Sequence, residues 1–235
     1  MSERKNELGL PIGFAVDGWS PRDLPPRTPM QGRYCRVEPL DMARHAEDLY
    51  EANFKDADNR IWVYLPYGPF KDFATYSQWM ESACLGADPL FHAIIDPETE
   101  KALGIASYLR IDPANGVIEV GHINYAPALQ RTAAATETMY LMMKRVFDEL
   151  GYRRYEWKCD NLNARSKRAA ERFGFTFEGI FRQVVVTKDR NRDSAWFAII
   201  DKDWPAIKAA FEGWLSPDNF TAEGQEKRSL GDFRI

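Results

Sequence analysis

The spacing of apolar and polar residues changes period repeatedly along the chain, and each change marks an element. Residues 34–38 alternate as a short strand. Asp41 then precedes Met42, Ala46, Leu49 and Ala52 or Asn53 at helical intervals, with Asp41 the expected cap. Residues 60–70 are rich in aromatics and proline and read as a loop or broken helix, and residues 72–85 return to helical spacing. Three strand signals follow, at Leu90–Ile95, residues 102–111 and Val117–Tyr125. Asn115-Gly116 joins the last two as an antiparallel hairpin, because that pair favours the positive backbone angles of a tight turn. The strongest helix carries Met139, Met142, Met143, Val146, Phe147 and Leu150 at steps of three and four, with Gly151 where a C-terminal cap belongs. A strand at 155–159, a helix at 163–173 ending before Gly174, and strands at 175–187 and 194–200 complete the alternation. Asp203 caps a last helix with Pro205 in its first turn. The hairpin excludes an all-parallel doubly wound sheet and predicts an α/β fold in which helices flank a mixed sheet.

The two ends break the pattern. Residues 1–32 hold Pro11, Pro21, Pro25, Pro26 and Pro29 with four glycines, too punctuated for a long element, so a proline-rich N-terminal arm is expected, wrapped on the domain or on a neighbour through Phe14, Val16 and Trp19. Residues 216–235 read as a polar, loosely held tail. One domain over 33–215 is left. With 31 basic and 35 acidic residues mixed along 235, the net charge is -4, which predicts no nucleic-acid partner. The longest apolar runs, such as 196–200, fall far short of the roughly 20 residues of a spanning helix, so no membrane is expected. A polar start without an apolar core suggests a cytoplasmic protein. Cys35, Cys84 and Cys159 are scattered and read as reduced thiols, and no metal-ligand spacing connects them with His45, His92 or His122.

No G-x-G-x-x-G, Walker loop, G-x-S-x-G elbow or H-E-x-x-H occurs, so dinucleotide oxidoreduction, P-loop hydrolysis and esterase chemistry lose their usual support. Leu129 to Glu137 (LQRTAAATE) instead places small residues between a strand end and the long helix. Such a turn presents unpaired backbone N–H groups at the positive end of a helix dipole and can cradle a pyrophosphate. The same alanines also read as good helix formers capped by Thr132 or Thr136. More specific is the segment from Asn163 onward: N-x-x-S over Asn163 to Ser166, a basic helix, then G-F-x-x-E-G over Gly174 to Gly179. This pattern resembles the GNAT superfamily of acyl-CoA-dependent N-acetyltransferases, in its ribosomal-protein N-terminal acetyltransferase (RimJ/RimL-like) branch, over about 33–215.

The resemblance implies a three-layer fold with a mostly antiparallel mixed sheet, and acetyl-CoA as cosubstrate. It also implies direct transfer of the acetyl group to a primary amine, through a tetrahedral intermediate, on a small molecule or a protein N-terminus. The family's pyrophosphate loop, Q/R-x-x-G-x-G/A, falls on Gln130, Arg131, Thr132, Ala133, Ala134, Ala135 and Thr136, with Ala133 replacing the central glycine. Backbone at Ile123, Asn124 and Tyr125 is expected to pair with pantetheine, Asn163 to position it or to cap its helix, and Arg131, Arg165 and Arg168 to meet phosphates. Lys167 reads better as part of a solvated helix face. Glu119 matches the general-base position and also reads as an ordinary strand carboxylate; Glu178 is the second candidate. Relatives place a thiolate-donating tyrosine where this chain has Ala170, so Ser166 takes that role, beside its reading as a first-turn serine. His122 falls near the thioester or is structural, and Asn59, Trp62, Tyr64, Tyr67 and Phe70 would line the acceptor side. A non-catalytic acyl-CoA-binding or protein-interaction module on the same fold is the alternative, favoured by Ala133 and the missing tyrosine. The apolar residues of the arm suggest a homodimer.

Overall fold

Helix starts follow the side chains that satisfy their first N–H groups. Asp41 accepts from Arg44 N at 3.1 Å and opens α1 (Met42–Phe54), and Asp72 accepts from Thr75 N at 2.9 Å and opens α2 (Phe73–Ala83). The structure, a computed structural model, describes residues 4–234. Its first strands, β1 (Arg4–Lys5) and β2 (Pro11–Ile12), form a separate two-stranded ribbon. The main sheet has eight strands: β3 (Met30–Gln31), β4 (Arg36–Pro39), β5 (Leu90–Ile95), β6 (Ala102–Asp112), β7 (Val117–Tyr125), β8 (Arg154–Asp160), β9 (Thr176–Thr187) and β10 (Arg190–Ile200). They lie in the order β3-β4-β5-β6-β7-β8-β10-β9, and every neighbouring pair is antiparallel except β7 and β8. The expected mixed, mostly antiparallel sheet flanked by helices is therefore the fold observed.

One parallel pair requires a crossover, and α3 (Ala133–Lys144) supplies it. Met139, Met142, Met143 and Val146 are fully buried on one sheet face with α4 (Ala164–Phe173) and α5 (Trp204–Leu215), and each contributes roughly 2 kcal/mol by burial. On the other face α1 and α2 pack Leu49, Tyr76 and Met80 onto Phe91, Ala93 and Ile105. Ile118, Val120, Tyr155 and Trp157 point into the α3 core. By strand alternation Glu119, Glu156 and Lys158 then stand on the opposite face.

Local readings differ from the sequence in four places. The hairpin after β6 has positive φ at Gly116 but not at Asn115, whose N–H donates instead to Asp112 Oδ1 at 3.0 Å; the turn spans four residues rather than two. Helix α3 ends in a wider π turn at Arg145–Glu149 before Gly151. Asp203 precedes α5 without a side-chain capping bond, its Oδ2 accepting from Ile200 N instead. The C-terminal tail is docked: Leu230 is fully buried, Asn219 donates to Trp214 O at 3.0 Å, and Trp214 donates to Glu226 at 2.6 Å. Its apolar anchors are too widely spaced to show periodicity. The arm runs over the turn of the β6–β7 hairpin, where Trp19 donates to Ala114 O at 2.9 Å and lies between Arg22 and Arg153.

Candidate active site

The parallel ladder between β7 and β8 runs only from Val117 opposite Arg154 to Val120 opposite Trp157, although both strands continue. The cause lies on the other edge of β7. Ile105 pairs with Asn124 and Ser107 with Gly121, so His122 and Ile123 together oppose the single residue Ala106, and His122 takes a φ of 50°. Such a bulge bends the strand and increases its twist. Beyond Val120 the two strands separate, and the stretch 121–125, with Ile123, Asn124 and Tyr125, has no β8 partner. Ile123 and Tyr125 turn their side chains into the α3 core, whereas Asn124 is buried with both amide atoms unpartnered.

The cleft ends at the N-terminus of α3. Thr132 is the cap, accepting from Ala135 N at 3.1 Å while donating to Leu129 O at 2.7 Å. Gln130 Nε2 donates back to Tyr125 O at 2.8 Å, tying the loop to the end of β7. Arg131 is exposed at a φ of 63°, a left-handed conformation usually left to glycine or asparagine. The N–H groups of Gln130, Thr132, Ala135 and Thr136 are taken by protein acceptors. Those of Arg131, Ala133 and Ala134 meet none among the described residues, which makes three donors at the positive end of a helix. Thr136 is buried, and its hydroxyl accepts from Arg172 Nη1 at 3.1 Å. Arg172, not Arg168, is thus the α4 cation that reaches this turn; Arg168 is exposed on the outer face of α4.

Glu119 is 3% exposed, and each of its oxygens accepts from a cation. Arg110 Nη1 donates to both at 2.8 Å, and Lys158 Nζ donates to Oε2 at 2.6 Å. Lys158 also bridges to Glu156, which lies opposite Glu119 in the parallel register, at 2.7 Å. Burial would raise the Glu156 pKa, but the hydrogen bonds from Lys158 and Arg154 hold it below the ordinary carboxylate range. Sequence reading found Glu119 without its partners; the period-two alternation that puts 119, 156 and 158 on one face was the available signal. Glu178, the second candidate base, is on edge strand β9, two strands beyond β8, paired to Arg154 at 2.8 Å. It does not share the cleft.

Asn163 caps α4, accepting from Ser166 N at 3.1 Å. The Ser166 hydroxyl accepts from the Trp157 indole N–H at 2.9 Å, which polarises it. Burial pushes the pKa of the neighbouring Cys159 thiol up, and the Ser166 hydroxyl beside it pulls the other way. Ala170, where the family resemblance implies a tyrosine, is fully buried in the core.

The aromatic loop closes the far side. Tyr64 donates to Leu162 O at 3.2 Å, Lys188 to Trp62 O at 2.8 Å and Arg190 to Val63 O at 2.8 Å, so the β8–α4 connection and the tip of the β9–β10 hairpin hold this loop over the strands. Tyr67 stacks on His122 with centroids 5.7 Å apart. Trp62 and Phe70 instead face Asn59 and Asn53 around a cavity of about 20 Å³, the size of one water. Trp62 and Phe70 therefore serve packing, and Tyr67 is the ring that reaches β7.

An acetyltransferase (GNAT) domain model matches residues 36–176. Among solved structures, a GCN5-related N-acetyltransferase from Brucella melitensis is 48% identical, with 93% of this chain and 99% of that one covered and a TM-score of 0.91. A probable acetyltransferase of the GNAT family from Chromobacterium violaceum ATCC 12472 is 40% identical, covering 84% and 98%, with a TM-score of 0.78. The microcin C7 self-immunity acetyltransferase MccE, solved with acetyl-CoA and AMP, shares the fold at 20% identity over 72% of this chain and 93% of that one, with a TM-score of 0.63. No curated protein matches the sequence.

Proposed function

Because the chain belongs to the acetyltransferase (GNAT) family, we propose that it transfers the acetyl group of acetyl-CoA directly to a primary amine, without a covalent enzyme intermediate. The observation that carries this reading is the coincidence of the β7–β8 opening with three unpaired N–H groups at the start of α3. Acetyl-CoA supplies the activated thioester. Arg131, Ala133 and Ala134 offer N–H groups to the pyrophosphate, and the open edges of 121–125 and β8 suit an amide-bearing pantetheine arm. The methyl group of Ala133 does not remove its own N–H donor, so replacement of the glycine leaves that contact available.

In the transfer, the amine nitrogen bonds the acetyl carbon and the carbon–sulfur bond breaks. The nitrogen sheds a proton toward Glu119 through water, and Ser166 donates to the departing sulfur. Glu119 then returns its proton to water and Ser166 regains one from water, so net proton movement is from nitrogen to sulfur. Arg110 and Lys158 fix the Glu119 carboxylate on the sheet face opposite α3, and Trp157 fixes Ser166. The N-x-x-S and G-F-x-x-E-G segments favour the RimJ/RimL-like branch, hence a protein N-terminus or a small-molecule amine as acceptor. The working unit in this reading is residues 33–215.

Primary amines screened for amine-dependent release of free CoA thiol test the reading. Glu119→Gln is expected to lower turnover by about 100-fold or more while leaving acetyl-CoA affinity within about twofold. Unchanged turnover removes Glu119 as base. Binding of acetyl-CoA without thiol release from any amine supports the non-catalytic module instead.

A further inference from the structure

Two titratable side chains stand beside the β7–β8 opening, and their engagement differs sharply. Glu119 has both oxygens bonded to cations. His122, three residues on, has no hydrogen-bond partner on either ring nitrogen among the described residues. Its Nδ1 is enclosed without a partner, while Nε2 is not among the enclosed atoms and keeps solvent contact. Enclosed polar atoms without partners are uncommon enough to need an account. The neighbours share the condition: the Tyr67 hydroxyl and both amide atoms of Asn124 are also enclosed and unpartnered.

The ring is nonetheless held firmly. The β7 bulge places His122 at a φ of 50°, which the surrounding ladder must enforce. Tyr67 lies nearly parallel to it, at 14°, and Phe91 packs at 5.1 Å. Stacking and backbone therefore orient the imidazole, and its hydrogen-bonding capacity is unspent.

Building on the acetyl-transfer reading above, we propose that His122 is an acceptor-binding residue, whose Nε2 takes a hydrogen bond from the attacking amino group and orients it toward the cleft. Burial first, then the nearby Arg110 and Arg192, pull its pKa down to about 4. The ring stays neutral near pH 7, the form that can accept from an amine. Proton removal remains with Glu119.

The test compares wild type with His122→Phe, which keeps the aromatic stack and removes the acceptor, and with His122→Asn, which keeps an acceptor and tolerates positive φ. Acetyl-CoA binding is followed by calorimetry, and thiol release with a panel of a polyamine, amino-acid amides and short free-N-terminus peptides. Expected is acetyl-CoA affinity within about twofold of wild type in both variants, with KM for the amine raised about tenfold in His122→Phe and less in His122→Asn. His122→Phe with the wild-type KM overturns the assignment. If that variant does not fold, His122→Asn decides, a rise in amine KM supporting the assignment and a wild-type KM overturning it. Wild type that binds acetyl-CoA but releases no thiol with any amine refutes the acetyl-transfer reading itself, and the His122 role with it.

Discussion

Glu137 holds the start of α3 against the turn before β4, and its removal should be among the most costly single changes in the molecule. Its carboxylate is 5% exposed; Oε1 accepts from Arg33 N at 2.9 Å, and Oε2 accepts from Tyr34 N at 2.6 Å and Cys35 N at 2.9 Å. A Cβ at Gly32 would collide with the same carboxylate, so the turn is shaped around it. Hydrogen bonds to a charged group contribute about 1.5–3 kcal/mol each. Water can reach the partly exposed Arg33 and Tyr34 after truncation, but Cys35 is fully buried. One full loss and two partial ones give about 4 kcal/mol for Glu137→Ala, a large share of the 5–15 kcal/mol that holds most domains folded. Glu137→Gln keeps one acceptor but can turn an NH2 group toward the Tyr34 and Cys35 N–H donors, and should cost about 3 kcal/mol. Urea unfolding followed by tryptophan fluorescence reads both as lower midpoints at unchanged slope. A loss below about 1 kcal/mol in Glu137→Ala would refute the reasoning.

Ser166→Ala should lower kcat by about tenfold or more, while Trp157 loses one acceptor at a stability cost of about 1 kcal/mol; a stability loss with full activity leaves Ser166 a structural serine. His92 is fully buried with both ring nitrogens unpartnered, and burial first, then Arg145 and Arg27, lower its pKa from 6.5 to about 4. The unfolded chain therefore takes up this proton first. The contribution is complete above about pH 6.5 and falls by up to about 3 kcal/mol as pH drops toward 4, with no further change below. Stability measured across pH 7 to 5 should fall less steeply in His92→Leu than in wild type, and parallel slopes would contradict the burial argument. Gly116 has a φ of 62° and lies against the Trp19 ring, so Gly116→Ala should destabilise by about 1–2 kcal/mol and release the arm, checked by thermal unfolding and proteolysis of the arm; unchanged stability would contradict it.

Strands and helices with strong local signals could be read directly from the chain. Leu90–Ile95 and Val117–Tyr125 occupy the expected residues, and Asp41, Asn163 and Gly174 sit at the helix ends where their chemistry places them. Long-range pairings gave no such signal. Nothing near Glu119 announces Arg110 and Lys158, because those contacts depend on the order of strands across the sheet, and nothing near Arg33 announces Glu137, over 100 positions away. The His122 bulge is likewise a mismatch between two strands, which neither sequence alone contains. Within the segment expected to bind phosphates, only the hydrogen-bond pattern separates the free N–H groups of Arg131, Ala133 and Ala134 from their occupied neighbours.

Backbone-amide NMR during a titration with acetyl-CoA tests the central claim most directly. Shifts are expected to concentrate at Arg131, Ala133 and Ala134, along 121–125 and at Ser166, saturating at one ligand per chain. Saturating shifts confined to other regions, or none at all, would contradict the placement of the cosubstrate in the β7–β8 cleft and the transfer chemistry built on it.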